Sequence, residues 1–133
     1  STGALLVGQF LVGQDYAGSG SSGATGQGDP SFSLAIPTQQ FRTQYTFLAP
    51  STFPSNYVNV TLPAGASVTL DGSPVPAGSP IGASGMNSSR VEISGGQHTI
   101  EGSQAFGIVV YGFAPFTSYM YPGGLDLEVI NIF

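Results

Sequence analysis

Lysine is absent from this chain, and Arg42 and Arg90 are its only arginines. Seven acids, Asp15, Asp29, Asp71, Asp126, Glu92, Glu101 and Glu128, bring the net charge to −5. Phosphate backbones are held by clustered Lys and Arg, so nucleic acid is excluded as a partner. The same deficit argues against docking on an anionic membrane surface. Cysteine is also missing, which removes any disulfide frame or thiolate zinc site. No apolar run reaches the roughly 18 residues of a membrane span, so no membrane insertion is expected. Charged residues amount to 7% of the chain, against about 25% in ordinary globular proteins. The surface must therefore be made of Ser, Thr, Gln, Asn and Gly. Secreted β-proteins and assembling subunits carry such surfaces more often than free cytosolic enzymes do. Ser1 in place of an initiating Met fits a removed leader or a boundary within a longer chain.

What is present is punctuation and short apolar runs. Hydrophobic residues make up 41% of the 133, enough for a real core, and 20 glycines and 10 prolines break the chain. The runs alternate with period 2 and show no sustained helical period, the pattern of a sandwich or barrel. Strands are expected at residues 4–12, 31–36, 43–48, 57–62, 67–70, 90–93, 98–101, 106–111 and 125–133. The expected fold is all-β: an antiparallel, jelly-roll-like β-sandwich of about nine strands. Residues 1–133 should form one domain, with residues 15–28 a flexible Gly/Ser-rich loop. The nearly continuous apolar runs 4–12 and 106–111 should be central. Val58, Val60 and Leu62 should face the core. Asp71-Gly72 is a tight-turn signal, because Gly accepts positive φ and Asp tolerates it, and Gly95-Gly96 should act likewise.

Chemistry-bearing residues are sparse. His98 is the only histidine, and no Gly-x-Ser-x-Gly elbow surrounds any serine. A local hydrogen-bonding role is expected for it, rather than a triad with Asp71 or Asp126. Glu92 and Glu101, on neighbouring hairpin strands, are expected to be solvated rather than a glycosidase pair. The acids show no calcium-loop spacing. No catalytic, cofactor or metal residues are therefore assigned. Arg42 is expected to pair with Asp29 or Asp126. Asn59-Val60-Thr61 and Asn87-Ser88-Ser89 are glycosylation sequons, so Asn59, outward on its strand, and Asn87, in a loop, are candidate glycan sites. Phe113, Phe116, Tyr119 and Tyr121 form an aromatic turn ended by Pro122-Gly123-Gly124. They either cap one end of the sandwich or stack on a ligand.

Several blocks then carry a resemblance. They are Gly28-Asp29-Pro30-Ser31, Gln40-Phe41-Arg42-Thr43-Gln44-Tyr45-Thr46-Phe47-Leu48-Ala49-Pro50 and Asn56-Tyr57-Val58-Asn59-Val60. Val68-Thr69-Leu70-Asp71-Gly72, Gly96-Gln97-His98-Thr99-Ile100 and Val109-Val110-Tyr111-Gly112-Phe113 follow, with Ser118-Tyr119-Met120-Tyr121-Pro122-Gly123-Gly124-Leu125. Their order resembles the IgGFc-binding protein N-terminal domain family over residues 4–125, and the chain looks like the later part of that domain. The resemblance implies a secreted, all-β, non-enzymatic module of the kind found in animal mucus proteins and bacterial surface proteins. No motif for antibody binding carries onto residues of this chain.

Both ends of the chain are apolar and strand-forming, and an unpaired apolar edge strand invites pairing with another chain. The expected function is a secreted, non-enzymatic structural subunit that assembles with copies of itself into an extracellular filament by β-strand addition. Leu5, Val7, Val129, Ile130 and Phe133 are the candidate pocket-filling residues. The alternative is a monomeric adhesin or a module of a larger surface protein, binding cell-surface glycans or proteins through residues 113–121.

Overall fold

The computed structural model describes residues 5–13 and 28–124. Among these the strands are β1 (Gly8–Leu11), β2 (Ser31–Leu34), β3 (Arg42–Ala49), β4 (Ser55–Pro63) and β5 (Val68–Leu70). They continue with β6 (Ser73–Pro74), β7 (Ser79–Pro80), β8 (Met86–Ile93), β9 (Gly96–Ala114) and β10 (Thr117–Pro122). A single 3-10 turn, Thr38–Gln40, precedes β3. Every pairing is antiparallel, so the expected all-β antiparallel sandwich forms.

The 19-residue β9 organises the molecule. Its first half lies between β3 and β5, with Ile100 opposite both Tyr45 and Leu70. Its second half lies between β4 and β10, with Val110 opposite both Val58 and Tyr121. Pairing with β3 jumps from Gln44↔Glu101 to Arg42↔Phe106. The strand bends across that break, so one strand serves two layers. One layer reads β6-β5-β9-β3 and the other β10-β9-β4-β8-β7. Phe106, fully buried at the bend, rests against Gly102, where a Cβ would come within 2.6 Å of the ring.

Inner faces of the two layers form the core. β3 supplies Tyr45, Phe47 and Ala49, and β4 supplies Val58, Val60 and Leu62, as its alternation predicts. β8 adds Ile93, and β9 adds Ile100, Phe106, Ile108 and Val110. Each fully buried Val or Leu contributes about 1.5–3 kcal/mol. Tyr45 keeps its polar end satisfied inside the core: its hydroxyl donates to the Phe106 carbonyl at 2.5 Å and accepts from the Arg42 N–H at 2.9 Å.

Four expectations are corrected. The run at 4–12 is not central: β1 pairs with β2 alone in a separate two-stranded sheet, and Leu5, Leu6 and Val7 are exposed. The runs 98–101 and 106–111 are parts of one strand, because the pairing break within β9 bends the chain without ending it. Gly95-Gly96 does not close a hairpin. β8 and β9 are unpaired in the described structure, and the turn carries the chain from one layer to the other. Residues 117–122, read as part of an aromatic turn, are strand β10. Asp71-Gly72 behaves as expected. Both take positive φ, 50° and 81°, between the paired Leu70 and Ser73, the condition of a type I′ turn. The strand expected at 125–133 lies outside the described residues, as does the 15–28 loop apart from Gly28. Gly28 is buried, and its N–H donates to the Ala114 carbonyl at 2.9 Å.

Candidate interaction surfaces

The β1–β2 ribbon is built inside out. Its register places Phe10 opposite Phe32 and Gly8 opposite Leu34, which puts all four on one face. The two rings touch at 4.9 Å, and Phe32 lies over Gly8, where a Cβ would come within 2.7 Å of it. This face points to solvent: Phe10 is 71% exposed and Phe32 54%, with Val12 and Leu34 also exposed. The opposite face carries Gln9, Leu11, Ser31 and Ser33, and Ser33 is buried. The alternation that should hide apolar side chains therefore displays them. The ribbon is held along β10, where Ser118 Oγ bonds Ser31 Oγ and donates to the Asp29 carbonyl. Among the described residues no strand pairs with the outer edge of β1. Leu5 and Val7, the N-terminal assembly candidates, are exposed, while Val129, Ile130 and Phe133 lie outside the described residues.

A second surface is the outer face of the β10-β9-β4-β8-β7 layer. Register places Tyr57 between Tyr111 and Glu92, and Asn59 between Val109 and Arg90. The guanidinium of Arg90 stacks on Tyr57 at 4.0 Å, and Tyr57 stacks on Tyr111 at 5.5 Å, a cation–π ladder across three strands. Tyr111 OH donates to Asn59 Oδ1 at 3.2 Å, and burial pushes its phenol above its ordinary range. Below this ladder a cleft of about 330 Å³ opens between the sheet and the ribbon. Asn59, Thr61 and Ser88 line it from the sheet, Gln9 from the ribbon, and Thr38 and Phe41 from the segment before β3. Sequence reading missed the ladder and the cleft. Their residues are bland one by one, and only the pairing register brings them together.

The aromatic candidates divide. Tyr119 OH donates to Asn56 Oδ1 at 2.6 Å, and its ring meets Phe53 edge-on at 4.8 Å. Burial, and secondarily Tyr121, push its phenol up to about 12. Tyr121 OH donates to the Leu48 carbonyl at 2.6 Å, and burial raises its phenol too. These two rings pack on the core and pin β10 to the end of β3 and the start of β4. They cap one end of the sandwich. Phe113 is half-buried beside Tyr57, Tyr111 and Gly28. Only Phe116 is displayed: it is 74% exposed at the tip of the β9–β10 turn, with φ of 57°.

His98 is buried, and its ring lies against Phe47. Nδ1 lies 2.6 Å from Asp71 Oδ2 and Nε2 lies 2.8 Å from the Ser94 carbonyl, so both nitrogens are occupied. Asp71 also accepts the Thr99 N–H at 2.9 Å, and these bonds hold its carboxyl below the usual range. The group ties the β5–β6 turn to the start of β9. Glu92 and Glu101 fall on different strands that do not pair, and Glu101 accepts from the Gln44 amide at 2.8 Å. Arg42 meets no carboxylate within ion-pair distance among the described residues; Asp29 accepts the Ser118 hydroxyl through its backbone carbonyl, and Asp126 lies outside the described residues. Asn87 sits on β8 rather than in a loop, its amide donating to the Ala77 carbonyl at 3.0 Å. Asn59 faces outward but is half-buried in the cleft. No group of acids or histidines able to hold a metal occurs among the described residues, and no helix there is long and apolar enough to cross a membrane.

Fold and surfaces together define an antiparallel β-sandwich that carries an exposed apolar side ribbon. The chain belongs to the IgGFc-binding family: the family model described as IgGFc binding protein matches residues 1–112. No curated protein and no solved structure matches it.

Proposed function

We propose that this chain is an extracellular, non-catalytic structural module that joins to further copies of itself through the β1–β2 ribbon. One observation carries the reading: the ribbon turns Phe10, Val12, Phe32 and Leu34 to solvent and its polar residues inward. Exposed apolar patches of this kind mark surfaces that are covered by another protein. The outer edge of β1, unpaired among the described residues, offers backbone N–H and C=O groups for strand addition, and the displayed side chains supply the pocket-filling contacts. A contact of this type between unlike surfaces propagates as a filament when its rotation does not close a ring. Only 7% of the residues are charged, so few side chains would have to be desolvated where copies meet. The non-catalytic part is supported by the full occupation of both His98 nitrogens and by the separation of Glu92 from Glu101.

A second reading keeps the ribbon and changes the partner. In it the chain is a protein-binding module of a larger surface protein, with Phe116 as a further anchor. The family's description as IgGFc binding protein favours it.

Replacing both Phe10 and Phe32 with Asp separates these readings from a structural role for the ribbon. The sandwich should keep its far-UV circular dichroism and its melting temperature within a few degrees. Self-association, followed by sedimentation velocity, should disappear. If wild-type protein shows no concentration-dependent association, the self-assembly reading fails and the protein-binding reading takes its place.

A further inference from the structure

We propose that the cleft between the ribbon and the outer face of β4, β8 and β9 binds a short neutral saccharide. The inference does not depend on the assembly reading, since it uses the inward face of the ribbon rather than the displayed one. Eleven residues line the cleft and none is charged. A charged ligand would lose hydration there without a partner. Yet the lining is far from inert. The Gln9 amide and the Thr38, Thr61 and Ser88 hydroxyls make no hydrogen bond within the described structure, and neither does Asn59 Nδ2. Asn59 Oδ1 is occupied by the Tyr111 hydroxyl. That bond fixes the amide and leaves the Nδ2 donors as the part Asn59 presents.

The remaining lining is apolar, with Ile36, Phe41 and Val109 set among these polar groups. A sugar ring has the matching character: hydroxyls that both donate and accept at its rim, and C–H faces between them. A purely apolar ligand would leave the amides and hydroxyls unpaired, at about 1–3 kcal/mol for each buried group. The floor is rigid. β4 is paired on both sides, to β8 and β9. Phe41 packs against Gly107, where a Cβ would come within 2.3 Å of its ring. A floor fixed in this way loses little conformational freedom when a ligand binds. The volume, about 330 Å³, falls at the small end of ligand sites, which run from about 300 to 1,000 Å³.

The test is a titration of the full, isotope-labelled chain with methyl glycosides of glucose, galactose, mannose and N-acetylglucosamine, followed by two-dimensional NMR. At least one should give saturable shifts centred on Gln9, Thr38, Asn59, Thr61 and Ser88. Asn59→Asp keeps an acceptor for Tyr111 OH but loses the Nδ2 donors, so binding should weaken about tenfold or more with the rest of the spectrum unchanged. Thr61→Val, which removes one hydroxyl at constant shape, should weaken it less. The proposal is overturned if no glycoside moves these signals, or if both variants bind like wild type. It is equally overturned if the shifts map to the Phe10–Phe32 face. Sedimentation of the same samples reads assembly separately, so failure of either idea leaves the other to be judged alone.

Discussion

Phe116 and Tyr119 belong to one hairpin, and the fold treats them in opposite ways. Phe116 follows Pro115 in a two-residue turn between the paired Ala114 and Thr117. Its φ of 57° is a left-handed conformation that costs a residue with a Cβ about 1–2 kcal/mol. Nothing in the described structure repays that cost, since the ring is 74% exposed. Phe116→Gly should therefore raise stability by about 1 kcal/mol in urea unfolding. If Phe116 anchors a partner, the same change weakens binding. Tyr119 is held in its neutral form inside the fold. Its folded value near 12 lies above the ordinary 10.0, so its contribution is complete below pH 10.0 and is lost as pH rises toward the folded value. Tyr119→Phe should flatten that alkaline loss, measured as unfolding midpoint against pH. Asp71 has the reverse sign. Its folded value lies below 3.8, chiefly through the bond with His98 and then the Thr99 N–H. Its contribution is present above pH 3.8 and is lost as pH falls through the folded value. The stability gap between wild type and Asp71→Asn should shrink on acidification through that range. A gap constant with pH would show that the pair contributes nothing.

At the level of elements, the strands with strict alternation were legible and the others were not. β4 reads directly, because Val58, Val60 and Leu62 alternate with polar residues and only one face can be buried. The ends of β9 read as separate strands because Gly102-Ser103-Gln104 looks like a turn. In the structure that stretch is the bend that lets one strand span both layers. β10 was hidden by the prolines at 115 and 122, which mark its boundaries rather than an irregular loop. β1 misled most. Its apolar run suggests a central strand, yet burial depends on what an element packs against, and β1 has β2 as its only strand partner in the described structure. The cleft could not be read at all, because Gln9, Asn59 and Ser88 come from three strands that no local pattern links. The contrast between β4 and β1 has an energetic counterpart. Leu62→Ala should cost about 2–5 kcal/mol, because it opens a cavity in the core. Phe10→Ala should change monomer stability by less than about 0.5 kcal/mol, as for other surface changes. A large loss from Phe10→Ala under dilute, monomeric conditions would mean that the ribbon is part of the folded core and is not free for a partner.

The whole molecule is a paired sandwich that carries an exposed apolar surface on a side ribbon. The core is closed by β9 and locked at one end by Tyr119 and Tyr121. The outer ribbon face is apolar, and the inner face builds one wall of the cleft. A copy docking on the outer face leaves the cleft walls in place, so assembly and ligand binding can coexist in one molecule. The central claim is that the ribbon joins copies, and electron microscopy of untagged native protein tests it most directly. Long regular fibres with a repeat of one small domain are expected, and they should be lost in the Phe10→Asp, Phe32→Asp variant. Dispersed single particles at every concentration, from a protein whose ribbon remains solvent-exposed, would contradict it.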